Sequence, residues 1–300
     1  MKGGAAVQEM VARILWHTNR TPASHLVKIA LTVLNRADKQ ERQRLARDLT
    51  VPSQLAESLE ALRRDGYAHL GRELDEKLLQ ELSKQAEERV VRADELEKHQ
   101  LRRNKSFWLR LLDEDIRSGG LDVDSIFVRF ALQEPILRLV TGYFGEVPLL
   151  SYVLLSLSRH AGEDWKVSQL WHRDYDDTKV LKIFTYLSDV PDESYGPFTF
   201  LPRAASRRVR YVGWRSHLRD EVVFRYVDPQ EQQQMIGTAR STFIVDTRAC
   251  YHMGSRVGAS RTRLMYTAAF ISAPPIYPAF TNGIQIRRPL SRLERLVLRP

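Results

Sequence analysis

Apolar positions recur at helical spacing through the first third of the chain, then give way to short apolar runs rich in Val, Ile, Phe, Tyr and Thr. Leu26, Ile29, Ala30, Val33, Leu34 and Ala37 share one face of a predicted helix that opens at Thr21-Pro22, with proline at its first position. Its polar face carries Lys28, Arg36 and Lys39, and the following turns add Arg42, Arg44 and Arg47. Ser53 opens a shorter helix holding Leu55, Leu59 and Leu62, stopped by Asp65-Gly66. A long polar helix is expected over residues 74–103, with Leu78, Leu79 and Leu82 on one side and many i,i+4 charge pairs. After a break at Gly119-Gly120, residues 127–144 read as helix ended by Gly145 and Pro148. Eight strands are then expected, over 149–158, 166–174, 180–190, 197–201, 208–212, 222–227, 242–246 and 261–271. A short basic amphipathic helix is expected within 286–298. The pattern is mostly β with N-terminal helices (α+β), and short strands at this spacing mark a sandwich or barrel. The expected core is an antiparallel double-stranded β-helix buttressed by helices.

Composition bounds this picture. At 300 residues, 43% hydrophobic and 28% charged, the chain can bury a large core, which excludes general disorder and fibre. One cysteine, Cys250, excludes a disulfide framework and a thiolate zinc cluster and points to a cytoplasmic home. The longest mainly apolar stretch, 147–157, is too short to span a bilayer as a helix, and the first residues lack a sustained apolar signal region.

The net charge of +9 sits entirely on the ends: +5 in residues 1–50, +4 in 281–300, and none in 51–280. The chain therefore divides into a basic helical segment (1–50), a double-stranded β-helix body with its helical buttress (51–280) and a basic tail (281–300). A neutral body argues against a nucleic-acid channel. The basic ends read either as ordinary exposed helices or as a peripheral contact with an anionic membrane surface. One basic run lies in the body, from Arg203 to Arg219; it is a solvated loop or an attractor for an anionic substrate.

The chemistry centres on His172-Arg173-Asp174 in an expected strand, where alternation puts His172 and Asp174 on one face. Alone, such a triplet is a common accident. Seventy-eight residues beyond Asp174 stands His252, and eleven beyond that stands Arg263. Two histidines and a carboxylate make the facial triad of non-haem Fe(II) oxygenases. Asp176 and Asp177 are rival carboxylates but fall in the turn after the strand. An arginine facing into a barrel needs an anion, and a dicarboxylate held at its other end by the metal supplies one. Arg261 lies on the same expected face as Arg263 and is its rival, or else a contact for an anionic substrate. Tyr152 and Thr185 are further candidates to bond that dicarboxylate.

The string from Trp171 to Ser206, with His172-Arg-Asp and Gly196-Pro-Phe-Thr-Phe-Leu-Pro-Arg-Ala-Ala-Ser, resembles the phytanoyl-CoA dioxygenase-like proteins. So do the distal His252, the following Arg263 and the earlier Leu62-Arg-Arg-Asp-Gly-Tyr-Ala-His-Leu; the resemblance covers about residues 55–275. It departs at Arg203-Ala-Ala-Ser-Arg, where that family usually carries Gly-Ser-His. The resemblance implies an Fe(II)- and 2-oxoglutarate-dependent dioxygenase using O2. It implies His172, Asp174 and His252 on iron, Arg263 on the distal carboxylate of 2-oxoglutarate, and release of succinate and CO2. Arg203 and Arg261 are then candidate substrate contacts. Because Asp174 is present, the resemblance implies hydroxylation rather than halogenation, of a small-molecule, lipid or sugar substrate. The position six beyond Arg263 is Ala269, where nucleic-acid demethylases on this barrel usually carry a second arginine. The alternative is a metal-binding barrel that acts as sensor or scaffold without turnover.

Overall fold

The computed structural model describes residues 19–21, 23–93, 107–119, 121–162, 164–210, 216–276 and 283–298. Eleven strands are described: β1 (Tyr67–Leu70), β2 (Trp108–Arg110), β3 (Leu149–Arg159), β4 (Trp171–His172), β5 (Val180–Tyr186), β6 (Phe198–Phe200), β7 (His217–Leu218), β8 (Gln233–Met235), β9 (Thr242–Asp246), β10 (His252–Met253) and β11 (Thr262–Ile271). They form two antiparallel sheets, β1-β9-β5-β11-β3-β2 and β7-β4-β10-β6-β8. The non-consecutive strand order within each sheet is the winding of a double-stranded β-helix.

Side chains of β11 show how the large sheet divides the interior. Leu264, Tyr266, Ala268 and Phe270 face outward and pack with Leu55, Leu62, Leu82, Phe127, Phe130 and Val140 from the helices. Arg263, Met265 and Thr267 alternate with them and face the space between the sheets. Inside, Phe184, Tyr186, Phe198, Phe200 and Phe243 form a second, aromatic core. Because both faces of the large sheet are covered, its central strands are apolar almost throughout.

Helices lie at Ala23–Leu34, Arg36–Asp48, Ser53–Asp65, Glu76–Val90, Ile126–Ala131, Glu134–Phe144 and Arg292–Leu298. Gly66 ends the Ser53–Asp65 helix at φ 86°, and a Cβ there would meet the Cys250 sulfur at 2.5 Å, so only glycine turns the chain into β1. The single helix expected over 127–144 is two, because Pro135 starts the second and cannot sit inside a continuous helix. The long helix expected over 74–103 runs as helix over Glu76–Val90, and residues beyond 93 lie outside the described ones.

Three strand expectations are corrected. Of 166–174 only Trp171–His172 is strand, since Val167–Gln169 forms a 3-10 turn. Arg203–Arg208 is helix, started by Pro202 and the helix-favouring Ala-Ala pair, and 211–215 lie outside the described residues. The 222–227 run begins inside a short helix, Asp220–Val223, whose Asp220 accepts two 2.7 Å bonds from Arg256 and one of 2.9 Å from the Trp171 indole.

The Ala23–Leu34 helix forms as expected, but with its polar side inward. Ser24 and Lys28 are buried, while Leu26, Ile29, Val33 and Leu34 are exposed. On the inward side the fully buried Asp177 carboxylate takes the Lys28 ammonium at 2.8 Å. The C-terminal helix, Arg292–Leu298, packs beside the second N-terminal helix: Arg42 donates to Leu296 O at 2.5 Å and to Val147 O at 3.2 Å. No helix among the described residues is long and apolar enough to cross a membrane.

Candidate metal centre

β4 and β10 are antiparallel neighbours with His172 and His252 as direct register partners, which brings their rings to 4.2 Å between centroids. Pairing does what sequence distance hides: residues eighty apart become cross-strand neighbours. Asp174 follows two residues after His172, past the end of β4, with its amide bonded to Thr247 O at 2.9 Å. One ligand atom from each of His172, Asp174 and His252 lies within 4.8 Å of the others.

The orientation of both rings fits a metal. Nδ1 of His172 faces Leu170 O at 2.8 Å and Nδ1 of His252 faces Cys250 O at 3.1 Å. Each carbonyl thereby fixes the tautomer that leaves the Nε2 lone pair free for a cation. His252 Nε2 lies 3.5 Å from Asp174 Oδ2, and Phe198 stacks on the His252 ring at 5.3 Å. Burial pushes the His172 imidazole down to about 3 and lowers that of His252, so both rings are neutral and ready to ligate near neutral pH. Burial opposes the charge on Asp174, but Lys182 and the two histidines bring its carboxyl below the ordinary range.

The three residues line a cavity of about 470 Å³ together with Arg263, Lys182, Tyr152, Asp176 and Trp108. Arg263 is 1% exposed. It donates to Gly196 O and, at 2.9 Å, to Ser255 Oγ, while its Nε has no hydrogen-bond partner. Among the described residues no carboxylate lies within 4.0 Å of it, and burial lowers its pKa. Gly196 sits at φ 61°, where a Cβ would meet the Arg256 backbone at 2.8 Å, so this carbonyl reaches the guanidinium only on a glycine.

The remaining candidates fall elsewhere. Arg261 precedes β11, is exposed and packs over the Tyr195 ring at 5.1 Å. Arg203 lies outside the cavity, bonded to Asp246 at 3.1 Å and to the Tyr143 hydroxyl at 2.7 Å. Tyr152 lines the cavity, whereas Thr185 bonds Thr242 at 3.0 Å in the sheet. Asp177 points away, to Lys28.

Two residues were not singled out by the sequence pattern. Lys182 places its ammonium 2.6 Å from Asp174 and 3.9 Å from Asp176, 5.5 Å over the Tyr152 ring. Burial works against its charge, yet Asp174, Tyr152 and Asp176 hold its pKa above the ordinary lysine value. Its signal was one cation at an inward position of an otherwise apolar strand. His217 pairs with His172 across β4 and β7, with rings 5.2 Å apart; a two-residue strand leaves no pattern to find.

No protein-family model matches the chain, and no curated protein matches it. Among solved structures it is similar to the epimerase SnoN in complex with Fe3+, alpha ketoglutarate and nogalamycin RO, with TM-score 0.52 and 19% identity over 75% of this chain and 86% of that one. It is also similar to EctD from S. alaskensis in its apo form, with TM-score 0.50 and 15% identity over 74% and 78% of the two chains. SnoN is a non-heme alpha ketoglutarate-dependent enzyme. The likeness is one of fold, and the fold expected from the dioxygenase resemblance is the fold found: two antiparallel sheets, with a His-Asp-His group that could hold a metal ion lining the cavity between them.

Proposed function

We propose that the chain is an Fe(II)- and 2-oxoglutarate-dependent dioxygenase that hydroxylates an unactivated carbon of a small-molecule, lipid or sugar substrate. The observation that carries this reading is one cavity holding both a His-Asp-His ligand set and a buried guanidinium with no carboxylate partner among the described residues. An unpaired buried cation is costly, and a dicarboxylate reaching from the metal to Arg263 relieves that cost. Ser255, Ser158 and Gly196 O hold the guanidinium in place, and its buried Nε is left without a partner.

Iron with 2-oxoglutarate and O2 supplies the oxidising power that breaks an unactivated C–H bond, with succinate and CO2 as by-products. The chain's own residues prepare for it. His172 and His252 present Nε2, Asp174 presents its carboxylate, and Phe184, Phe198 and Met265 keep the wall dry. Lys182 and Tyr152 both pair opposite Ala269, six residues along β11 from Arg263, or about 20 Å at strand spacing. Asp174 contacts Lys182, and Gly254, two residues after His252, lies against Arg263. On this reading the co-substrate would lie on the Arg263 side of the triad and the substrate on the Lys182 side.

The test is succinate formation from 2-oxoglutarate under Fe(II), ascorbate and air, with 18O2 tracing oxygen into product. Wild type should form succinate and Asp174→Ala should not. Tight iron binding without succinate, under any substrate pool, would make the chain a sensor or scaffold. A product inverted at carbon and free of 18O would place it with epimerases such as SnoN.

A further inference from the structure

We propose that the Ala23–Leu34 helix, with the two basic ends of the chain, docks the protein on an anionic membrane surface. Leu26, Ile29, Val33 and Leu34 are 70%, 61%, 68% and 80% exposed. They are four of the eight large apolar side chains exposed among the described residues, gathered on one helix of twelve residues. Leu26, Ile29 and Val33 stand at i, i+3 and i+7, so they form one stripe. Isolated exposed leucines need no explanation, but a gathered stripe does.

The helix cannot roll to hide it. Lys28 is anchored at 2.8 Å to Asp177, 2.9 Å to Ser272 O and 2.5 Å to Pro274 O, and these bonds fix the polar side inward. Lys39 on the next helix adds a 3.1 Å bond to Ala273 O and an ion pair with Glu146.

Charge selects the occupant. The fold joins the two basic ends: Arg292 bonds Glu41 at 3.0 Å and Arg42 bonds Leu296 O. Arg36, Arg44 and Arg47 share the outward side of the Arg36–Asp48 helix, and Arg295 is exposed on the C-terminal helix. None of these four has a carboxylate within 4.0 Å among the described residues. Pairing two copies through this face would bring like charges together, whereas anionic lipid headgroups satisfy the arginines while the stripe enters the acyl boundary.

The docking also concerns the cavity. Asp177, which anchors the helix, is three residues beyond Asp174, and the Asn19 side chain donates to Tyr175 O. The loop that carries the carboxylate ligand is thus tied to the lipid-facing element. Docking itself does not depend on the reaction proposed above, and its test reads binding alone.

The experiment is co-sedimentation of the full chain with vesicles of phosphatidylcholine, or of phosphatidylcholine mixed with phosphatidylglycerol. The wild type should pellet with the mixed vesicles only and be released by salt, which screens such attraction within about 10 Å at 0.1 M. Arg44→Gln with Arg47→Gln should weaken partition about fivefold per charge. Ile29→Gln with Val33→Gln should weaken it about thirtyfold or more. All four positions are exposed, so unchanged thermal melts check the fold, and the arginine pair stands alone if the apolar pair unfolds. Equal pelleting with both vesicle types, or pelleting unaffected by either pair, overturns the proposal. So does a dimer, seen by light scattering, that Ile29→Gln with Val33→Gln splits without altering vesicle binding.

Discussion

Arg263→Met separates a functional cation from a structural one by the signs of two effects. In the metal-free protein Arg263 is a 1% exposed guanidinium held by Gly196 O and Ser255 Oγ at 2.9 Å, with no counter-ion among the described residues. Methionine removes the desolvation cost of the charge, which is several kcal/mol for an ion in a real protein interior. It also removes the bonds to Gly196 O, Ser255 and Ser158. Ser255 keeps a partner in Ser158 Oγ at 3.0 Å, so the orphan is the Gly196 carbonyl, at about 1–3 kcal/mol. The balance favours methionine by about 1 kcal/mol, or a rise of roughly 2 °C in melting temperature for a chain this long. 2-Oxoglutarate binding should move the other way. Deleting one side of a buried charge pair costs about 2–5 kcal/mol, which is a loss of roughly thirtyfold to several thousandfold in affinity. The assay is thermal melting with and without 2-oxoglutarate, with Mn(II) in place of iron, and calorimetric titration of the co-substrate. Wild type should be stabilised by 2-oxoglutarate and Arg263→Met should not be, while melting at or above the wild-type temperature without it. A variant that melts well below wild type and still binds 2-oxoglutarate normally would make Arg263 a structural cation and refute the assignment.

Two further outcomes test the same cavity. Lys182→Met leaves the Asp174 carboxylate without its 2.6 Å counter-ion, so the metal-free protein should lose about 3–5 kcal/mol in urea unfolding, and Mn(II) should restore part of that; an unchanged midpoint would show that Lys182 does not hold Asp174. The metal-free protein should also lose stability on acidification from pH 7 to 5. His172 in the folded state is pushed from 6.5 down to about 3 by burial, so below 6.5 the unfolded chain binds a proton that the folded one refuses, and stability falls with pH from there down to about 3. His252 adds in the same direction, and Asp174, depressed from 3.8, extends the loss to lower pH. His172→Gln should flatten the profile between pH 7 and 5, and an equal slope in both proteins would mean that the ring is not buried neutral.

Long strands were legible because they carry their own evidence. Apart from Asp246 and Arg263, Thr242–Asp246 and Thr262–Ile271 are apolar or β-branched, as expected for strands buried on both faces. The strands that build the small sheet are two or three residues long, and so short a segment has no period to read. Trp171–His172 and His252–Met253 exist because they pair with each other and with neighbours far along the chain. The proposed ligands could nonetheless be picked out by residue type and spacing without recognising the strand, and the fold brings His172, Asp174 and His252 within 4.8 Å of one another.

What stayed hidden was set by buried charge. The helical period at residues 26–37 tells that a helix forms, and by default turns its apolar side inward. Here the default loses. Asp177 sits at 0% exposure, and a carboxylate so placed must be paired; the Lys28 ammonium reaches it only from the helix's polar side. Turning the helix would take the counter-ion from Asp177, which would keep only its bonds from Thr178, Ser272 and Ile276. The four apolar side chains left outside, at about 1.5–3 kcal/mol each if buried, are those that the proposed membrane docking would cover. The same residue type shows the rule inside the barrel, where Lys182 lies between apolar strand neighbours because Asp174 and Asp176 are there to receive it. Period decides which element forms, and the Lys28–Asp177 pair marks the side that faces the fold. Sequence distance from Lys28 to Asp177 conceals that choice, and the pairing of helix with loop discloses it.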